Sequence, residues 1–322
     1  MQKLKIGVLG CANIAKKSVI PAILSIADFE LVAVASRTLE KAQEFANLFD
    51  CEAIEGYQKL IDKKDIDVIY MPLPTGLHEE WVLKALDSGK HILVEKSLAM
   101  NYSSAEKMVQ KAKEKGLLIM ENFMFIYHGQ HQIVKQLISE GKIGEIRCFR
   151  SSFGFPPLPL DNFRYNKELG GGALLDAAAY TVRASQLFLD NDLEVKTAAL
   201  SYNENGVDIF GGAFLKNKNE LFSEVAFGFD NFYQCNYEIW GSKGKITAHR
   251  AFTPAPDFKP LITLEQQGEK FDIEAPAENH FIAILNEFVS CIKNQNYESK
   301  HEEILNQARL LHELKDKSNL NL

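Results

Sequence analysis

Short apolar segments alternate with longer amphipathic segments through residues 5–123, and this alternation limits the possible folds more than any other feature. The strand-like segments read KIGVLG, FELVAVAS, VIYMPLP, HILVEKS and LLIMENF, and helix-like segments separate them. A β-α repeat of this kind predicts a parallel, doubly wound sheet with helices on both faces. We therefore expect a Rossmann-like α/β domain at residues 1–122.

The pattern changes after residue 123. One helix-like segment, HQIVKQLISEGKIG, is followed by longer strand-like runs from EIRCFRSSFGF to PLITLEQQG and by a helical tail. Long strands in succession are typical of an antiparallel sheet, here with the GGGALLD helix packed against it. We expect a C-terminal α+β domain at residues 123–322, built on a large, mostly antiparallel open sheet.

The charge, the cysteines and the longest apolar runs exclude several classes of protein. A net charge of -7 argues against a nucleic-acid binder, and five scattered cysteines without CxxC spacing indicate reduced thiols rather than zinc or disulfides. The stretch VLGC mimics a lipoprotein box, but its apolar run is shorter than the roughly 7–15 residues of a signal peptide. No run approaches the ~20 residues that cross a bilayer. We expect a cytoplasmic protein without a membrane partner.

The first strand leads into a candidate dinucleotide-binding turn. The fingerprint G-x-G-x-x-G/A supplies a tight turn, close approach to the pyrophosphate and close helix packing. This chain has Gly, Ala and Ala at the three positions, so a methyl group replaces the usual bare backbone at the second. A turn without a nucleotide is the alternative, but the junction of the first strand and helix favours cofactor binding by Gly10, Cys11, Ala12, Asn13 and Ile14.

The end of the second strand distinguishes the two nicotinamide cofactors. An acidic residue there would bind the ribose 2′-hydroxyl of NAD. This chain instead has Ser36 and Arg37, with Lys41 one helical turn further. A hydroxyl and cationic groups suit a 2′-phosphate. We expect NADP(H) rather than NAD(H); the alternative is a solvated helix start.

The helix after the glycine run is apolar except for one polar stripe. Asp176, Tyr180 and Arg183 lie at i, i+4 and i+7, which places them on one helical face. Burying a carboxylate, a phenol or a guanidinium is costly unless the group is paired or hydrogen-bonded. The stripe therefore faces either an internal polar network or a ligand.

Taken together, these segments resemble the Gfo/Idh/MocA oxidoreductase family over essentially the whole chain. The resemblance lies in GVLGCANIA, MPLPTGLHEEWVLKAL, HILVEKS, ENFMF and GGGALLDAAAY. Within the family, MENFMFIYHGQH and the LGGGALLD…Y arrangement are most similar to bacterial sugar-nucleotide 3-ketoreductases of deoxysugar biosynthesis.

The resemblance implies specific roles near the nicotinamide. The family's Glu-Lys-Pro turn corresponds to Glu95-Lys96-Ser97, so Glu95 and Lys96 match and the proline is absent, which leaves the turn less rigid. The family's Asp-x-x-x-His pair corresponds to Asp176 and Tyr180. Further residues implied to border the nicotinamide ribose are Pro72, Leu73, Thr75 and His78.

These correspondences imply a ketoreductase mechanism. A phenol with the ordinary pKa of about 10 is a slow proton donor unless a cation stabilises its phenolate. Lys96 is implied to supply that charge and to polarise the carbonyl, with Tyr180 as the proton donor and Asp176 orienting Lys96 or a sugar hydroxyl. Candidate substrate-binding residues are Glu121, Asn122, Arg164, Tyr165 and Arg183.

Some of these residues have competing interpretations. Glu121 is also suited to holding the lysine turn, and Arg183 to a structural ion pair. His128 and His131 lie at i, i+3, but no third ligand has suitable spacing, so we expect no metal.

We expect an NADP(H)-dependent reductase of a keto sugar, in particular a nucleotide-linked keto-deoxysugar. One alternative is a dehydrogenase of a free sugar, an anhydrosugar or a trans-dihydrodiol, and another is a non-catalytic NADP-binding regulator. Retention of both Lys96 and Tyr180 favours an enzyme. Because FSEVAFGF carries apolar residues on both sides of one strand, we also expect a homodimer or homotetramer formed through the C-terminal sheet.

Overall fold

The computed structural model describes residues 3–190 and 192–319. The chain forms two compact units, Met1–Phe123 with Phe281–Leu305, and Met124–His280 with Asn306–Leu322. The division into folding domains at residue 122 stays a prediction. No helix within the described ranges is long and apolar enough to cross a membrane.

The first unit is built on a six-stranded sheet in the order β3-β2-β1-β4-β5-β6, in which all paired strands are parallel. The strand order reverses between β1 and β4, where doubly wound folds bind ligands at the carboxyl ends of the strands. The strands are β1 Leu4–Leu9, β2 Phe29–Ser36, β3 Glu52–Glu55, β4 Val68–Met71, β5 His91–Val94 and β6 Ile119–Glu121. The predicted Rossmann-like sheet is confirmed.

Helices follow the strands of this sheet, as the alternation predicts. A π-helical turn, Ala15–Val19, leads into the first helix. The helices are α1 Ile20–Ser25, α2 Leu39–Phe49, α3 Tyr57–Asp62, α4 His78–Asp87 and α5 Tyr102–Lys115. Strand β3 and helix α3 have no counterpart in the sequence prediction.

The second unit opens with α6, Gly129–Ser139, and contains an eight-stranded sheet in the order β14-β13-β12-β11-β7-β10-β9-β8. Every neighbouring pair is antiparallel except β7 and β10, so the predicted mostly antiparallel sheet is confirmed. The strands are β7 Ile146–Gly154, β8 Glu194–Tyr202, β9 Asp208–Lys216, β10 Phe222–Gly228, β11 Gln234–Gly241, β12 Lys245–Ala248, β13 Leu261–Gln266 and β14 Glu269–Glu274.

Helix α7, Ala179–Leu189, packs on one face of this sheet and is preceded by a π-helical turn, Leu174–Ala178. Alternate residues of β7 point toward it: the Phe149 ring stacks on Phe188 with centroids 5.7 Å apart, and Phe153 meets Tyr180 edge-on at 4.9 Å. Two further helices, α8 His280–Asn294 and α9 Glu298–Asn319, close the chain.

The opposite face of the sheet is divided into a charged half and an apolar half. Because side chains alternate along a strand, Arg150 points away from α7, and it forms ion pairs with Glu224 at 2.6 Å and Glu238 at 3.5 Å. Lys245 continues this row on β12 with ion pairs to Glu238 and Glu265. Toward β9 and β10 the face becomes apolar, with the residues Phe210, Gly212, Phe214, Phe222 and Ala226.

Candidate active site

The turn after β1 requires a bare backbone at its first position. Gly10 has φ +125°, and a Cβ there would lie 2.8 Å from Cδ2 of Leu73. An L-residue rarely adopts this conformation, so glycine is needed on two grounds. Ala12 occupies the second position without disrupting the turn, since its carbonyl accepts from the Lys16 N–H at 3.1 Å. Cys11, Ala12 and Ile14 are half-buried and Asn13 is exposed.

The end of β2 presents polar and cationic groups beside this turn. Ser36 is the last strand residue and is buried, while Arg37 and Lys41 are exposed. Thr38 caps α2 by accepting the Lys41 N–H through its side chain. Burial raises the pKa of the Cys11 thiol to about 11, and Lys41 and Ser36 oppose that rise. The glycine turn and the end of β2 therefore share one electrostatic environment.

The side chain of His78 holds the loop after β4 in place. Pro72 and Leu73 are buried, and Thr75 begins a short 3-10 turn. The imidazole of His78 is fully buried, with Nε2 2.8 Å from the Leu73 carbonyl and Nδ1 3.1 Å from the carbonyls of both Ser97 and Leu98. Burial lowers its pKa. His78 thus joins this loop to the Lys96 turn; its contact with a nicotinamide ribose stays a prediction.

Side chains from neighbouring strands hold the turn that carries Lys96. The carboxylate of Glu95 accepts from the Tyr70 hydroxyl at 2.7 Å and from Nδ2 of Asn122 at 2.6 Å. Glu121 accepts the Leu98 N–H at 2.7 Å. Burial raises the pKa of Glu95, and these hydrogen bonds oppose that rise. In this structure Glu121 and Asn122 support the turn, and substrate contact by either stays a prediction.

Lys96 itself is half-buried, and the peptide bond between Lys96 and Ser97 is cis without a proline. The residues that hold its turn, Tyr70 and Asn122, were not identified as a network from the sequence. Tyr70 in particular lies in the fully buried strand β4, where the sequence pattern predicts that an aromatic residue belongs to the hydrophobic core. The Tyr70 hydroxyl nevertheless takes part in the site, because it donates a hydrogen bond to Glu95.

In the second unit, the glycine run brings a loop, a strand and a helix close together. A Cβ on Gly171 would overlap the Arg164 carbonyl, and one on Gly172, at φ +119°, would overlap the carboxylate of Asp208. That carboxylate accepts the Leu174 N–H at 2.5 Å, which satisfies an otherwise unpaired donor at the start of the helical segment. Asp208 therefore anchors the segment that carries Asp176 and Tyr180.

Two of the predicted site residues meet directly. Nε of Arg164 lies 2.5 Å from Oδ2 of Asp176, and both side chains are partly exposed. Tyr165 lies in the same loop and folds it on itself, because its hydroxyl contacts both the N–H and the carbonyl of Leu158. The loop is thus ordered by its own contacts as well as by Asp176.

The remaining polar residues of the helical stripe are buried. Tyr180 is 6% exposed and lies among the rings of Phe125, Phe153 and Phe252. Arg183 is 8% exposed and donates to Oε1 of Gln186 at 2.9 Å. The polar stripe of this helix therefore has two kinds of surroundings. Asp176 forms an ion pair with Arg164 of a loop, whereas Tyr180 and Arg183 are buried.

The two histidines at the start of α6 have structural partners. His128 caps the helix by accepting the Gln130 N–H, and Nδ1 of His131 lies 2.9 Å from the Tyr237 hydroxyl. Burial lowers the pKa of His131 to about 3. No group of three or more potential ligands that could hold a metal occurs within residues 3–190 and 192–319.

Two family models match the chain. One, described as an oxidoreductase family with an NAD-binding Rossmann fold, matches residues 4–123. The other, described as a GFO/IDH/MocA C-terminal domain, matches residues 131–247.

Characterised relatives extend over nearly the whole length. A dTDP-3,4-didehydro-2,6-dideoxy-alpha-D-glucose 3-reductase from Saccharopolyspora spinosa is 43% identical over 290 residues, 90% of this chain and 87% of that relative. An enzyme of the same name from Actinomadura kijaniata is 39% identical over 310 residues, 96% and 93%. The structure of KijD10, a 3-ketoreductase from Actinomadura kijaniata in complex with NADP and TDP-benzene, superposes with a TM-score of 0.95 and 38% identity over 98% of both chains.

Proposed function

The chain belongs to the Gfo/Idh/MocA oxidoreductase family, and we propose that it uses NADPH to reduce a keto group of a nucleotide-linked deoxysugar. As a member it is an NAD(P)-dependent oxidoreductase acting on sugar keto or hydroxyl groups. The observation that carries the finer proposal is similarity to dTDP-sugar 3-reductases over 90–96% of this chain. KijD10 was solved with NADP and TDP-benzene, which supports a TDP-linked substrate and NADP(H) here.

The residues around the first strand fit a nicotinamide dinucleotide. The backbone of Gly10 and Cys11 lies at the carboxyl edge of β1, where a pyrophosphate approaches in this fold. Ser36 and Arg37 provide a hydroxyl and a guanidinium for the 2′-phosphate. Pro72, Leu73, Thr75 and Glu95 follow strands β4 and β5 and would border the nicotinamide ribose. When bound, NADPH supplies a hydride to the carbonyl carbon.

We propose that Lys96 and Tyr180 complete the reduction. The Lys96 ammonium polarises the carbonyl oxygen as negative charge develops on it, and the Tyr180 hydroxyl donates the proton that converts the alkoxide to the alcohol. The network of Tyr70, Glu95 and Asn122 keeps the lysine turn in one conformation. KijD10 has also been solved with a lysine replaced by alanine or glutamate and with a tyrosine replaced by phenylalanine.

The pair of Arg164 and Asp176 supports a role in substrate binding. A guanidinium in a surface loop suits the diphosphate of a nucleotide sugar, because it offers planar, paired donors to phosphate oxygens. We propose that Asp176 holds Arg164 in the free protein and that a sugar hydroxyl competes for the same carboxylate. Tyr165 and Arg183 remain proposed contacts in this unit.

We also propose that a second copy covers the apolar half of the C-terminal sheet, giving a homodimer or homotetramer. Phe210 is 49% exposed, and Phe214 stacks on Phe222 with centroids 5.2 Å apart on the same face. Contiguous exposed apolar patches of this kind mark protein contacts.

Two assays test the proposed function. Oxidation of NADPH is followed at 340 nm with a dTDP-linked 3-keto-deoxysugar and with the same sugar lacking the nucleotide, and binding of TDP is measured by calorimetry. We expect TDP binding and turnover only of the nucleotide-linked ketone. Turnover of free keto sugars alone would instead identify a free-sugar dehydrogenase. Tight NADPH binding with no turnover of either sugar would favour a smaller substrate or a regulator.

A further inference from the structure

Two lysines from separate segments share one carboxylate beside the proposed cofactor site. Nζ of Lys16 lies 3.0 Å from Oε1 of Glu44, and Nζ of Lys41 lies 2.6 Å from Oε2. Both ammonium groups also lie over the ring of Phe45, at 5.8 and 5.6 Å from its centroid. Each oxygen of Glu44 thus binds one ammonium ion, as two oxygens of a phosphate would.

The two lysines come from the segments that approach the pyrophosphate and the ribose in this fold. Lys16 lies in the π-helical turn Ala15–Val19, and Lys41 lies in the first turn of α2, four residues after Arg37. The pKa of the Cys11 thiol is lowered by Lys41 and raised by Glu44. Lys41 and Glu44 therefore act electrostatically on the turn itself, rather than only on each other.

Stability gives little reason for this arrangement. The side chains of Lys16, Lys41 and Glu44 are 37%, 47% and 45% exposed, and ion pairs at such positions contribute little. Helix α2 is already capped by Thr38 and buries Ala42, Phe45 and Ala46. An i,i+3 pair between Lys41 and Glu44 alone would be an ordinary surface contact, but Lys16 comes from another segment.

The charges of this cluster suit a bound phosphate monoester. Arg37, Lys16 and Lys41 carry three positive charges, whereas Glu44 and Glu40, which also acts on Lys41, carry two negative charges, so the cluster keeps a net positive charge. A phosphate monoester carries about -1.5 to -2 at neutral pH. Arg37 is exposed and forms no salt bridge with any residue in the described ranges, so its charge is available to an anion.

We propose that Glu44 determines how strongly the protein prefers a cofactor with a 2′-phosphate, because its carboxylate occupies Lys16 and Lys41 until that phosphate takes its place. This inference rests on the proposed use of NADP(H). The carboxylate repels the 2′-phosphate and competes for both lysines, so it weakens NADP(H) binding more than the binding of NAD(H), which lacks that phosphate. Weaker binding speeds the release of the oxidised cofactor after each turnover.

The test is a fluorescence titration of the full chain with NADPH and NADH. E44Q is expected to lower the Kd for NADPH by about threefold to tenfold in 50 mM salt, with a smaller change in 0.5 M salt. The Kd for NADH should change by a smaller factor, because NADH carries the pyrophosphate but no 2′-phosphate. K16M and K41M should each raise the Kd for NADPH by a similar factor, and E44A should reproduce E44Q.

The matched control is E80Q, which removes a carboxylate paired with Lys84 at 2.6 Å on helix α4. It should leave both dissociation constants unchanged. An unchanged or raised Kd of E44Q for NADPH, or an equal change for NADH, would overturn the inference alone. Failure of the wild-type protein to bind either nucleotide would instead overturn the proposed function.

Discussion

The Arg164 guanidinium lies 2.5 Å from the Asp176 carboxylate and so joins a surface loop to the helical segment that carries Tyr180. We expect Arg164→Met to raise the KM for the nucleotide sugar about tenfold, because a charged hydrogen bond to the substrate is lost, with a smaller change in kcat. Steady-state kinetics with NADPH at saturation measure both constants. Arg147→Met, which breaks an exposed pair with Glu145 on the same unit, is the control. A fall in kcat with KM unchanged would contradict substrate binding by Arg164.

Replacing the proposed chemical groups should abolish turnover but leave cofactor binding intact. Lys96→Met and Tyr180→Phe are each expected to lower kcat by about 10²–10⁴-fold, since each removes a group that acts on the carbonyl oxygen. NADPH titration should give an unchanged Kd. Lys107→Met and Tyr202→Phe, at exposed positions, are the matched controls. Undiminished turnover in the Lys96 variant would contradict the proposed role of Lys96 in polarising the carbonyl.

Arg37 should discriminate between the two cofactors. Arg37→Ala is expected to raise the Kd for NADPH about tenfold through loss of a charged contact to the 2′-phosphate. The Kd for NADH should stay the same, because NADH lacks that group. Equal losses for the two cofactors would mean that Arg37 supports the fold of the turn instead.

Buried histidines should make the protein less stable in mild acid. Burial lowers the pKa values of His131 and His280 to about 3 and that of His301 to about 4, below the ordinary value. Between pH 6.5 and these values the unfolded chain binds more protons than the folded chain, so stability falls as pH falls through this window. For His131 alone the loss from pH 6.5 to 5 is roughly 2 kcal/mol.

Urea unfolding at pH 7.5 and pH 5 measures this dependence. His131→Gln should lose less stability than the wild type over that interval, whatever its stability at pH 7.5. His312→Gln, at an exposed position of α9, should behave like the wild type. Identical pH dependence in His131→Gln and wild type would show that this imidazole does not cause the loss.

The apolar half of the sheet should control association. Phe214→Glu places a charge beside Phe222 on the apolar half of the sheet. We expect this variant to be a monomer in light scattering. Phe271→Glu, at an exposed phenylalanine on β14, should keep the wild-type mass. A monomeric wild-type protein would contradict the proposed assembly.

The elements that carry strong apolar patterns were predictable, whereas two edge strands, β3 and β14, were not. Strands β1, β2, β4 and β5 are buried over most of their length and read as apolar runs. Strand β14, by contrast, is almost entirely exposed and reads EKFDIE, with no buried face to impose alternation. Edge strands are held by main-chain pairing, which leaves little trace in residue type.

The candidate site shows the same division. Motif spacing marks Gly10, Lys96 and Tyr180, because each belongs to a short pattern of residues close together in the sequence. The supporting residues are remote: Asp208 caps a helical segment that begins far upstream, and Glu44 looks like any charged residue on a helix surface. The tertiary fold brings such partners together, so no local sequence pattern predicts them.

The parallel pair of β7 and β10 has a consequence for synthesis of the chain. Strand β7 lies inside the sheet, yet its partners come much later: Cys148 pairs with Phe222 on one side and with Trp240 on the other. A nascent chain therefore exposes both edges of an aromatic strand until the ribosome has passed β11. Open strand edges of this kind pair with other chains. Fragments that end before residue 222 should aggregate, and we expect the intermolecular contacts to form through β7.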